Sequence, residues 1–136
     1  FVTDVEPSII KENLTRMAEE TAPFRLMLNG VNYFEGEINT AYVDINNHEP
    51  IMSLRTSIST CLQSLTETRL EERVNSEQYY AHVTIGTNIP ASLFPAIREN
   101  LSKLKVRLMV RADTVALASI GEGGKSRIEF LFKLVG

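Results

Sequence analysis

Scarcity narrows this chain before any motif does. It holds one cysteine, Cys61, so no disulfide can close within it, which suits a reducing compartment and a cytoplasmic protein. The two histidines and that cysteine show no ligand-like spacing, so no structural zinc, and no metal or other cofactor, is expected. No apolar run approaches the roughly 20 residues of a membrane-spanning helix, and no membrane partner is expected. Basic charge is not in excess either. Fourteen Lys and Arg against 17 Asp and Glu give a net charge of -3, which argues against electrostatic capture of long nucleic acid or of an anionic membrane. A small phosphate ligand stays open, because it needs only a few local donors.

What is present fits one globular domain spanning residues 1–136. Hydrophobic residues make up 43% and charged residues 23%, ordinary for a chain that buries most of its apolar surface in a single core. The start, Phe1-Val2-Thr3-Asp4, is neither a signal peptide nor an initiator methionine, and reads as a chain processed, cut or represented in part.

Hydrophobic periodicity gives the elements. Pro7 suits the first position of a helix whose Ile10, Leu14 and Met17 share a face, and Thr21-Ala22-Pro23 closes it. Phe24, Leu26 and Leu28 then alternate as a strand, with Asn29-Gly30 signalling a bulge or bend before Val31 to Phe34. After Glu35-Gly36-Glu37, Ala41, Val43 and Ile45 alternate against Thr40, Tyr42 and Asp44, and the two strands form an antiparallel hairpin. A second helix turns Ile51, Leu54, Ile58, Cys61 or Leu62, and Leu65 inward, which makes Cys61 a core thiol. Thr66 to Gln78 is a polar, charged connection. A third helix runs from about Pro90 or Pro95 to Leu104, with Leu93, Ile97, Leu101 and Leu104 inward. Val106, Leu108 and Val110 begin a strand, Val115 and Leu117 belong to another or to its continuation, and Ile128 to Leu134 reads as a final strand, preceded by a hairpin turn at Glu122-Gly123-Gly124-Lys125. Helices on a mainly antiparallel sheet make an α+β fold.

The most informative stretch is Tyr79-Tyr80-Ala81-His82-Val83-Thr84-Ile85-Gly86. As a strand it sends Ala81, Val83 and Ile85 to one face, suited to packing against helices, and Tyr80, His82 and Thr84 to the other. An imidazole and a hydroxyl then stand about 7 Å apart on a stiff element. Polar groups on one side of an apolar strand must find partners or face a cleft.

The order helix, strand, bend, strand occurs twice, from Pro7 to Ile45 and from Pro90 to Ile120. Phe24-Arg25-Leu26-Met27-Leu28 matches Val106-Arg107-Leu108-Met109-Val110 with Arg-Leu-Met identical at an offset of 82 residues. The same offset applied to His82 falls just before Phe1. A duplicated site would therefore carry its other His-x-Thr immediately upstream, in a missing strand-helix-strand.

With these features the chain resembles the two-histidine (2H) phosphoesterases, which include 2′-5′ RNA ligase-like proteins and cyclic phosphodiesterases, and among them the YjcG-type branch. His82-Val83-Thr84-Ile85 is similar to the second His-x-Thr-x motif, the segment from Pro7 to Phe34 to the part that follows the first motif, and Ile128 to Val135 to the closing strand. The first motif itself is absent. The resemblance implies duplicated lobes of mainly antiparallel sheet with helices outside, related by a pseudo-twofold about a central cleft. It implies metal-independent opening of 2′,3′- or 1″,2″-cyclic phosphates or 2′-5′ linkages in a small nucleotide or RNA end. His82 would be one of an acid/base pair and Thr84 a phosphate donor, where the alternatives are a buried histidine satisfied by a backbone carbonyl and an ordinary strand threonine. Tyr80 and Phe1 would line the substrate site, packing being the alternative for Tyr80. Arg69 and Arg73 read as a solvated charged loop, the alternative being a loop that folds over the cleft to help hold phosphate, and His48, outside any His-x-Thr context, reads as an exposed loop histidine. Two other functions compete: a nucleotide- or RNA-binding relative without chemistry, and a structural domain without ligand.

Overall fold

Ile10, Leu14 and Met17 are buried on one side of the first helix, α1 (Pro7–Glu19), as their spacing requires, with Ala18 beside them. The computed structural model describes residues 7–65, 79–122 and 125–136. The readings of Phe1, of Arg69 and Arg73, of the 66–78 connection and of Gly123-Gly124 lie outside these residues. In chain order α1 is followed by β1 (Phe24–Phe34), β2 (Asn39–Ile45), α2 (Glu49–Leu62), a 3-10 turn (Gln63–Leu65) and β3 (His82–Ile89). Then come α3 (Phe94–Ser102), β4 (Arg107–Ala112), β5 (Thr114–Ile120) and β6 (Ser126–Lys133). The fold is α+β, and among the described residues no helix is long and apolar enough to cross a membrane.

The chain divides into two compact units, and passes between them within β1, in the first turn of α2, just before β3 and within β4. The first unit holds α1, α2 and the antiparallel β5–β6 pair. Its core joins Ile10, Leu14, Met17 and Ala18 of α1 to Leu62 of α2 and to Phe132 and Leu134, with Leu54, Ile58, Cys61 and Leu65 packed against them. The inward face expected of α2 is observed from Leu54 to Leu65, whereas Ile51 is half-buried and does not join this core. Burial pushes the Cys61 thiol up, against the smaller lowering effects of Arg16 and its own backbone, so it remains a protonated core thiol. Past β6 the chain clips onto the end of α1. The Val135 and Gly136 amides donate to the Ala18 and Thr21 carbonyls at 3.2 Å each, the Ala18 oxygen also accepting the Thr21 amide at 3.4 Å. A Cβ at Gly136 would stand 2.6 Å from the carbonyl carbon of Glu20, so only glycine permits this approach.

The second unit is built on the sheet order β3-β2-β1-β4, antiparallel at β1–β2 and β2–β3. The expected bulge falls at Asn29-Gly30: the register slips by one residue between Leu28 and Val31, and Gly30 takes a φ of 78°. Its amide donates to the Val106 carbonyl at 3.0 Å, which ties the bulge to the segment entering β4. The two Arg-Leu-Met copies lie on neighbouring strands, β1 and β4, with Arg25 reaching the Met109 sulfur.

Two expectations fail here. α3 starts at Phe94, after a turn in which Leu93 and Phe94 both donate to the Pro90 carbonyl. Phe94, with Ile97 and Leu101, therefore faces inward, while Leu93 and Leu104 lie beyond the helix and stay exposed. The apolar side of β3 is also largely uncovered. Ala81 is buried, but Val83 and Ile85 are 44% and 46% exposed. The reason is placement: β3 is an edge strand, and the contacts of α3 fall on Tyr33 of β1, two strands away.

Candidate functional site

β2 and β3 bring the two polar faces noted in the sequence side by side. Tyr42 pairs with Thr84 and Asp44 with His82, so Tyr42, Asp44, His82 and Thr84 project from one side of the sheet. This register holds only over the first residues of β3. It slips between Ala41 and Tyr42 and again between Asn39 and Ala41, and Asn88 takes a φ of 55° near the second slip. The His-x-Thr pair thus sits on the regular part of a strand that is irregular further on. The ladder starts at His82, so Tyr80 precedes it, yet its ring joins the same face.

Aromatic rings floor this face. Phe34 stacks on Tyr42 with centroids 4.3 Å apart, and both meet the His82 ring, at 5.1 and 5.2 Å. Tyr80 stands edge-on to Phe34 and Tyr42 at 6.3 and 5.9 Å. Such edge and offset arrangements are favoured by ring quadrupoles. His48 is not the free loop residue the sequence suggested. It is half-buried, and its ring centroid lies 5.0 Å from that of Tyr80.

Hydrogen bonds fix the two central groups. His82 Nδ1 lies 2.7 Å from the Tyr80 carbonyl oxygen. A carbonyl can only accept, so Nδ1 carries the proton, and a ring in its neutral form then presents Nε2 as the lone-pair nitrogen. Among the described residues neither Nε2 nor the Thr84 hydroxyl has a hydrogen-bond partner, and both residues are exposed. The backbone-carbonyl contact weighed as an alternative role for His82 is therefore present, and it uses one nitrogen while leaving the other open. Tyr80 donates its phenol proton to Asp44 Oδ1, which also accepts the Ile45 amide at 2.9 Å. That bond, with smaller effects of burial and of the nearby Asp44 and Tyr42, pushes the Tyr80 phenol up to about 12. Burial, then the Asp44 charge, also raises Tyr42.

Asp44, Phe34, Tyr42 and His48 escaped the sequence reading as site residues. For Asp44 and Tyr42 a signal existed, since both stood on the polar side of an alternating strand. What was missing was the pairing of that strand with the His-x-Thr strand.

The family comparison agrees with this picture. The model of the 2′-5′ RNA ligase superfamily matches residues 1–124, and the chain belongs to that superfamily. Among solved structures, the crystal structure of TT0787 of Thermus thermophilus aligns with a TM-score of 0.67 at 16% identity, covering 98% of this chain and 73% of that one. At that identity the likeness is one of fold. No curated protein matches the chain in sequence.

Proposed function

We propose that the protein is a metal-independent phosphoesterase of the YjcG-type branch, acting on 2′,3′- or 1″,2″-cyclic phosphates or 2′-5′ linkages of small nucleotides or RNA ends. The observation that carries this reading is the open Nε2 of His82 beside the Thr84 hydroxyl, in a chain of the 2′-5′ RNA ligase superfamily. In the reaction a water oxygen attacks phosphorus and one ribose P–O bond breaks. One imidazole takes the proton of the water, and a second, protonated, gives a proton to the departing ribose oxygen. Imidazole suits both tasks because its two forms coexist near neutral pH. His82, through Nε2, is one member of that pair. The family resemblance implies a second His-x-Thr as the source of its counterpart. Thr84 donates to a non-bridging phosphate oxygen, where charge grows in the transition state. Phe34 and Tyr80 offer exposed ring surface for a base, and Phe1 is assigned to the same substrate site.

The second reading, a binder without chemistry, rests on the single His-x-Thr within these residues. Kinetics and binding on the full-length protein separate the two. His82→Ala should abolish measurable hydrolysis of a 2′,3′-cyclic nucleotide while leaving its binding within a few-fold. Thr84→Ala should lower turnover by about 100-fold, the usual loss for one donor to a transition-state oxyanion. A wild-type protein that binds the nucleotide but never hydrolyses it supports the binder instead.

A further inference from the structure

We propose that Asp44 is a positioning residue for His82, acting through Tyr80: the carboxylate anchors the tyrosine side chain, and the anchored tyrosine aims its main-chain carbonyl at the imidazole. The inference rests on the acid/base role given to His82 above and names the part of the sheet that keeps that group in order.

The local backbone explains why an anchor is needed. The His82 tautomer depends on one acceptor, the Tyr80 carbonyl, 2.7 Å from Nδ1. That carbonyl belongs to a residue outside the ladder, since strand pairing begins only at His82. Ala81 is buried and pins the chain at one point on the other side, but its methyl group does not fix the rotation of the peptide before it. The Tyr80 side chain does. Its hydroxyl is bound by Asp44, and its ring leans on Tyr42, Phe34 and His48. Asp44 is itself well held, inside β2, directly paired with His82, and accepting the Ile45 amide. A rigid strand thus reaches the imidazole of its neighbour by a side chain, a phenol and a carbonyl in series. The late ionisation of the Tyr80 phenol agrees with a firm bond to the carboxylate.

If the chain of contacts is cut, the imidazole keeps its place on β3 but loses its tautomer preference and its aim. A proton on Nε2 would block the lone pair that acts as base, and a small misplacement of a catalytic group costs up to about 100-fold in rate. Losses at Asp44 and Tyr80 should also overlap, because the two groups act in series.

The test uses the full-length protein and two readouts. Nitrogen-15 spectra of the His82 side chain, taken where the ring is neutral, report which nitrogen carries the proton. The wild type should show Nδ1–H, Asp44→Ala a substantial Nε2–H population, and Asp44→Asn, which keeps an acceptor oxygen, a spectrum close to wild type. In kinetics on a 2′,3′-cyclic nucleotide, Asp44→Ala and Tyr80→Phe should each lower kcat by about tenfold or more, with KM changed less than about twofold. The double variant should lose no more than the worse single one. A folded Asp44→Ala protein with the wild-type tautomer and kcat overturns the positioning role, even where His82→Ala is inactive and the phosphoesterase reading stands. If the wild type shows no turnover, that reading fails, and the His82 tautomer in Asp44→Ala and Asp44→Asn alone decides the positioning role.

Discussion

The Tyr80 hydroxyl donates a hydrogen bond to Asp44, and that bond pushes the phenol up to about 12. For an acid whose folded value is raised, the protonated form is the one folding favours. The contribution is therefore complete below the ordinary tyrosine value near 10 and is lost as the pH rises through about 12. Phenolate absorbance during an alkaline titration should show one of the four tyrosines ionising near 12. Asp44→Ala should bring that step down toward 10, and a step that stays in place would show that the carboxylate is not its cause. His82 and Thr84 were legible from alternation alone, since a two-residue period fixes which side chains share a face. Asp44 was not. Its role depends on β2 lying beside β3, a pairing that bridges dozens of residues and leaves no local mark.

Helices were the most readable elements. Ile10, Leu14 and Met17 in α1, and Leu54, Ile58 and Leu62 in α2, recur at the helical period because each helix buries one stripe. Leu62 is 1% exposed at the centre of its core, so Leu62→Ala should cost about 2–5 kcal/mol in denaturant unfolding. The Asn29-Gly30 bulge was also visible, because glycine is the residue that tolerates a φ of 78°. No atom stands within 4 Å of a Cβ built at Gly30, so the penalty for Gly30→Ala is conformational alone, about 1–2 kcal/mol by the same unfolding measurement. A loss near zero would mean the bulge relaxes. The covering of β3 was misread. Alternation says which residues share a side, but whether a helix lies over that side is decided by sheet order, and here α3 contacts β1.

At the scale of the whole molecule, the doubled Arg-Leu-Met and the twice-used order of elements pointed to a duplicated phosphoesterase fold. The match over residues 1–124 places the chain in the 2′-5′ RNA ligase superfamily, the fold is α+β as expected, and the repeated tripeptides lie on adjacent strands. Sequence order could not reveal that β4 and β5 enter different sheets, because Asp113 between them carries no strong break signal. The proposed activity, opening of cyclic phosphodiesters, uses imidazole rather than metal. Its most direct test is hydrolysis of a 2′,3′-cyclic nucleotide by full-length wild type and His82→Ala, each with and without excess chelator. The expected result is wild-type turnover untouched by the chelator and lost by at least about 100-fold in His82→Ala. Turnover that survives the loss of His82, or that vanishes with the chelator, would contradict the account.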